Sequence, residues 1–173
     1  GLLWNAVAFN QPIGDWDVSN VVNMSTMFYG AEAFNQPIGN WNVSKVITMY
    51  YMFTSAVAFN QPINKKPDVT MNGATYTAWD VSSVTNMRNM FAYAQDFNQP
   101  IGNWNVSSVT YMSTMFNNAR AFNQPLANWE RTTGVDGATS TSTLSNVTDM
   151  SAMFSQSAFN QSINDWDVSD VTD

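Results

Sequence analysis

Phe34-Asn35-Gln36-Pro37-Ile38-Gly39-Asn40-Trp41-Asn42-Val43-Ser44-Lys45-Val46-Ile47-Thr48-Met49-Tyr50-Tyr51-Met52-Phe53-Thr54-Ser55-Ala56-Val57-Ala58 is one unit of 25 residues, and Phe59-Asn60-Gln61-Pro62 opens the next. Phe-Asn-Gln-Pro also starts at Phe9, Phe97 and Phe122, and recurs as Phe-Asn-Gln-Ser at Phe159. The intervals from Phe9 onward are 25, 25, 38, 25 and 37 residues. Both long intervals carry 13 extra residues, and the last has lost one residue between Phe154 and Phe159. Self-similarity at a fixed period of this size is the signature of a repeat architecture, in which each unit buries its apolar face only against its neighbours. The repeat runs through residues 1–173 without a linker, so a single domain is expected.

The apolar positions of the quoted unit are Ile38, Trp41, Val43, Val46, Met49, Met52, Phe53, Ala56 and Phe59. Ile38-x-x-Trp41-x-Val43 has the L-x-x-L-x-L spacing of a leucine-rich-repeat strand, and alternation there turns Trp41 and Val43 to one face, Asn40 and Asn42 to the other. Ser44 then reads as a helix N-cap, and Val46, Met49, Met52 and Phe53 as the buried stripe of a helical or 3₁₀ segment. Asn-Gln-Pro after Phe59 stops that segment and begins the return. The expectation is an α/β repeat: a leucine-rich-repeat-like right-handed solenoid of about six coils with adjacent strands ~5 Å apart.

Composition narrows the function. The chain has 173 residues, 45% hydrophobic and only 11% charged, with a formal charge of −7. Nucleic-acid binding and an electrostatic hold on an anionic bilayer do not suit that balance, and no stretch reads as a membrane span. Cys and His are both absent, which removes disulfides, thiol nucleophiles, Cys/His zinc sites and histidine triads. The reading is a scaffold and not an enzyme.

The strings Phe34-Asn-Gln-Pro-Ile-Gly-Asn-Trp41-Asn-Val-Ser-Lys-Val46 and Val109-Thr-Tyr-Met112-Ser-Thr-Met115-Phe116 resemble the repeat of BspA-type leucine-rich surface proteins, common in mycoplasma lipoproteins. The resemblance covers essentially the whole chain. It implies a secreted or surface-anchored protein that binds or adheres, and it carries no catalytic residues with it.

Repeat columns separate core from surface. Trp16, Trp41, Trp79, Trp104, Trp129 and Trp166 fall at an inward position and read as stacked core. The methionine pairs, such as Met49/Met52 and Met87/Met90, read the same way, as gap-filling core and not as metal ligands. Asn10, Asn35, Asn60, Asn98, Asn123 and Asn160 recur at the corner, where stacked amides can satisfy turn backbone groups along the stack.

Packing does not dictate the outward strand positions, so Asn40, Asn42, Asp80, Asn103 and Asn105 form a candidate binding face for glycan hydroxyls or another protein. Asp15/Asp17 and Asp165/Asp167 are carboxylate pairs at i, i+2, about 7 Å apart on a strand, which could hold a Ca²⁺ with help from nearby carbonyls. Otherwise no cofactor is expected.

The inserts, at about residues 64–78 and 130–142, are further candidates. Each centres on a strong hairpin signal, Asn72-Gly73 and Asp136-Gly137, and each continues Ala-Thr. Two projecting hairpins are expected, their roots roughly 10 Å apart on one edge. Lys65, Lys66 and Arg131 place half of the six positive charges at these inserts, and with Tyr76 they make a contact surface for an acidic partner, such as another copy of the chain.

Gly1-Leu2-Leu3-Trp4 and Val171-Thr172-Asp173 both align inside a repeat unit. The expectation is an excerpt of a longer array or a stacking subunit, whose ends join head to tail in an open filament. Together these readings point to an extracellular or cell-surface structural or adhesion protein partnered by copies of itself. The alternative is a ligand-binding module that recognises a glycan or a host protein through the Asn/Asp face and the hairpins.

Overall fold

The computed structural model describes residues 1–130 and 144–173. The expected second hairpin, with Arg131, Asp136 and Gly137, lies outside the described residues.

Successive repeats lie side by side, joined by a parallel ladder at one repeat position: Asn23 bridges Thr48, Thr48 bridges Asn86, Asn86 bridges Tyr111, and Tyr111 bridges Asp149. From each coil, amides at alternate residues donate to the next. Met24, Thr26, Phe28 and Gly30 bond the carbonyls of Thr48, Tyr50, Met52 and Thr54 at 2.8–3.0 Å. Met49, Tyr51, Phe53 and Ser55 repeat the pattern onto Asn86, Arg88, Met90 and Ala92. Bonds also return, as from Ile47 N to Val22 O at 2.9 Å and from Ala58 N to Glu32 O at 3.0 Å.

The ladder therefore occupies the stretch where the sequence predicts a helical segment, and that expectation is corrected. Turn bonds such as Met27 N to Met24 O (3.2 Å) and Ala31 N to Phe28 O (3.0 Å) close over Thr26 and Gly30, whose φ angles are 56° and 66°. Tyr51, Asn89, Thr114 and Ala152 repeat the left-handed conformation of Thr26. Each such residue interrupts a helix and costs roughly 1–2 kcal/mol. It also aims the flanking amides at the neighbouring coil, where a buried N–H needs an acceptor.

The expected strand at Trp41–Val43 is corrected too. Trp41 N closes a turn onto Ile38 O at 3.2 Å, and here side chains make the links between coils. The indole N–H groups of Trp41, Trp79, Trp104, Trp129 and Trp166 donate to the carbonyls of Ile13, Ile38, Ile63, Ile101 and Leu126, each in an earlier coil. Backbones also pass closely in this leg: a Cβ on Gly39 would stand 2.7 Å from Pro62 O, and Gly14 and Gly102 meet the same constraint.

One buried cluster runs from Ile13 to Met153. Two phenylalanine columns form its centre. Phe28, Phe53, Phe91, Phe116 and Phe154 stack at 5.2–5.7 Å, and Phe34, Phe59, Phe97, Phe122 and Phe159 at 5.8–6.1 Å. Trp41, Trp79, Trp104 and Trp129 are buried, whereas Trp16 is 40% exposed. At the corner, Asn10 Oδ1 accepts from Asn35 N (2.9 Å) and Gln36 Nε2 (3.0 Å). The same amide ladder continues through Asn35, Asn60, Asn98 and Asn123 to Asn160.

The first insert forms β1 (Lys66–Met71) and β2 (Ala74–Ala78), paired antiparallel across Asn72-Gly73. Both turn residues have positive φ, 52° and 79°, the geometry a two-residue hairpin with native twist requires. The register shifts between Lys66 and Val69, around the left-handed Asp68. A four-residue 3₁₀ turn spans Ala127–Glu130.

Candidate functional site

The β1–β2 hairpin does not project as the sequence suggests; it lies back on the stack, with Val69 and Ala78 buried. Its apolar inner positions drive that docking, and the candidate face supplies the polar latch. Lys65 N donates to Asn103 Oδ1 (3.0 Å), and Asn103 Nδ2 donates back to Lys65 O (2.9 Å). Lys66 Nζ donates to Asn40 Oδ1 (3.1 Å), and the Tyr76 hydroxyl donates to Asn40 O (2.6 Å). Asn40 and Asn103 are therefore hairpin anchors and not a free glycan-binding face. Of the two lysines at this insert, Lys65 has an acidic neighbour within the chain, its Nζ lying 4.0 Å from Asp80.

The inner column of that face has a second duty. Asn42, Asn105, Asp17, Asp80 and Asp167 each accept the amide of the serine two residues on, at 3.0–3.2 Å. No helix follows, so the serines are not N-caps; the Asx side chain caps the turn instead. Ser19 holds the Asp17 carboxyl below its ordinary value through its hydroxyl and its amide. Asp15 and Asp165 are exposed. Among the described residues no three carboxylates gather into a metal-holding group.

Several of these residues meet under the hairpin tip. Asp17, Val18, Ser19 and Asn42 face Met71, Asn72, Ala74 and Tyr76 across a cleft of about 120 Å³. Burial, and then the charge of Asp17, push the Tyr76 phenol above its ordinary value, leaving it a donor at neutral pH. The cleft is small, polar on one wall, and roofed by the only two strands among the described residues.

A second assembly lies on the outer side of the turn ladder, which the sequence reading passed over. Trp4 and Tyr29 rings lie 6.3 Å apart, Tyr29 and Tyr51 6.0 Å, and Tyr50 meets Tyr51 edge-on at 4.3 Å. The Arg88 guanidinium sits 4.4 Å over the Tyr111 ring and pairs with Asp149. Burial pushes the Asp149 carboxyl up, but bonds from Arg88, Ser151 and Ser113 outweigh it and hold the group at about 2. The signal was present in the sequence as exceptions within columns: Tyr50 stands where Ser25, Ser113 and Ser151 stand, and Tyr51 where Thr26 and Thr114 stand.

A family model described as "Mycoplasma protein of unknown function, DUF285" matches residues 1–71 and 132–173, well over half of the chain. The chain belongs to that family. The stretch of this DUF285 chain outside the match, 72–131, keeps the same ladder, as Met87 N to Tyr111 O at 2.9 Å shows. Comparisons with curated proteins and with solved structures returned no match. Among the described residues no helix is long and apolar enough to cross a membrane.

Proposed function

We propose that the chain is a non-enzymatic extracellular or cell-surface protein of the BspA type, a leucine-rich-repeat-like right-handed solenoid that works in adhesion or structural assembly. The observation that carries this reading is the constancy of the step between coils. Every coil turns a row of amides to one neighbour and a row of carbonyls to the other, at the same register from Met24 to Asn118. Such a unit is self-complementary in a heterologous sense, the relation that continues into open filaments when copies meet head to tail. The fixed register also displays outer side chains as regular columns, which suits a surface that adheres. The rival reading, a glycan or protein site on the Asn/Asp strand face, has less support because the hairpin already engages Asn40 and Asn103.

The test of assembly is negative-stain microscopy of the purified chain across a concentration series. Filaments with an axial repeat of roughly 30 Å, six coils at about 5 Å, are expected; particles that stay monomeric throughout remove the filament. The test of location is antibody labelling of intact and of lysed cells. Equal labelling is expected, and labelling confined to the lysate removes the surface assignment.

A further inference from the structure

Five of the six tyrosines in the chain, Tyr29, Tyr50, Tyr51, Tyr93 and Tyr111, lie on the outer side of the turn ladder, with Trp4 beside them. This is not packing by default. The inward positions of the same leg are filled by Met and Phe, all buried in the central coils. The outward positions are elsewhere mostly Ser, Thr, Asn, Ala or Gly, with Val22, Ile47, Arg88, Asp149 and Gln156 the exceptions, so each tyrosine is an addition to the pattern that the core does not require. Trp4 is 59%, Tyr93 47%, Tyr50 39% and Tyr111 38% exposed. Tyrosine offers an apolar ring with a polar tip, suited to a ligand that is itself apolar on one side and hydroxylated at the rim.

Charge narrows the ligand. The outward columns of the ladder leg in the coils from Val22 to Gln156 carry only two charged side chains, Arg88 and Asp149, and these pair with each other. In a chain of net −7 these columns carry no net charge, and the charges that flank them, Glu32 and Asp96 against Lys45 and Arg120, balance as well. The face therefore offers no complement to an acidic or a basic partner. Spacing narrows it further: the rings of Trp4, Tyr29 and Tyr51 follow one another at 6.3 and 6.0 Å along the stack, one per coil. A linear oligosaccharide laid along that line places successive pyranose rings, whose C–H faces stack on aromatic rings, over successive coils. We infer that the outer face of the turn ladder, centred on Tyr29, Tyr50 and Tyr51, binds a neutral linear oligosaccharide along the stack axis.

The site is distinct from the hairpin cleft. The test uses purified chain in solution, so it stands apart from where the protein resides and from whether it forms filaments. The probes are linear hexasaccharides of β-linked glucose, galactose and N-acetylglucosamine, titrated by calorimetry and by NMR of the tyrosine ring protons. At least one should bind, shifting the Tyr29, Tyr50 and Tyr51 signals and leaving Tyr76, on the hairpin, unmoved. The triple variant Tyr29→Thr/Tyr50→Ser/Tyr51→Thr, which installs residues found at the same repeat positions in other coils, should weaken binding about tenfold or more, roughly 1.4 kcal/mol. Its unfolding transition checks that it folds, and the ring shifts in the unaltered chain locate the site if it does not. No binding by any of the three sugars at millimolar concentration overturns the inference. So does binding that the triple variant retains, binding that shifts Tyr76 alone, or tyrosine shifts produced by a protein partner and by none of the sugars.

Discussion

Each coil has two legs that are joined to their neighbours by different means. In the ladder leg the links are backbone to backbone: four amides per coil donate across, and others return. In the tryptophan leg they are side chain to backbone, principally one indole N–H per coil. Tolerance follows from that difference. Both 13-residue inserts fall in the tryptophan leg, one between Ile63 and Trp79 and one between Trp129 and Leu144, and none falls in the ladder leg. Extra chain in a leg without a backbone ladder breaks few bonds. At the first insert the Trp79 amide abandons its turn and crosses to Trp41 O at 3.1 Å, with Trp79 left-handed at φ 49°, while its indole still reaches Ile38 O. The lost residue lies at the corner after the ladder, where Ser157 stands in the alanine column and its hydroxyl receives Phe159 N at 3.3 Å.

The largest expected effect comes from opening the core behind the ladder. Phe91 is fully buried and stacks on Phe53 and Phe116, so Phe91→Ala should cost about 3–5 kcal/mol in urea denaturation. A smaller loss is expected in the other leg. Trp79→Phe keeps most of the ring but leaves Ile38 O without its indole donor, a cost of roughly 1–3 kcal/mol.

Acid should weaken the ladder face by a similar or smaller amount. The Asp149 carboxyl is held at about 2 against an ordinary 3.8. A depressed carboxylate stabilises the fold above its unfolded value and loses that contribution as pH falls from about 4 toward 2. The shift corresponds to about 2 kcal/mol at most, less because the Arg88 side chain is 37% exposed. Arg88→Met should flatten the pH dependence of urea stability in that window; an unchanged slope means the pair is solvated.

Removing the hairpin should matter least. Replacing residues 64–78 with Gly-Asn, as at Gly39-Asn40, should leave cooperative folding intact and move stability by less than about 1 kcal/mol. Lost hairpin contacts are offset by release of the left-handed Trp79. A loss of several kcal/mol would mean that the hairpin clamps the stack and does not merely rest on it.

Much of this was legible in the sequence, for definite reasons. The repeat fixes which residues recur, and columns such as Phe34 to Phe159 and Asn10 to Asn160 have side chains whose packing or hydrogen bonding needs a copy of themselves next door. Asn72-Gly73 names its own turn because few other pairs accept two positive φ angles. What periodicity does not carry is the backbone path: Val46, Met49, Met52 and Phe53 suit a helical stripe as well as a run of turns, and only left-handed φ at Thr26 or Tyr51 separates the two. Thr and Tyr do not advertise that conformation as Gly would. The hairpin's resting place was hidden as well, because Asn40 and Asn103 look like free surface until the insert folds over them. The tyrosine face was hidden because periodicity displays what the members of a column share, whereas Tyr29, Tyr50 and Tyr51 are single departures from theirs.

Amide hydrogen exchange on the intact chain tests the central claim, that the turn leg carries the backbone ladder. The slowest amides should be Met87, Asn89, Phe91 and Tyr93, with their counterparts in adjoining coils, while Val43 and Val106 in the tryptophan leg exchange faster. Slowest exchange centred on Trp41–Val43 and Trp104–Val106 would contradict it.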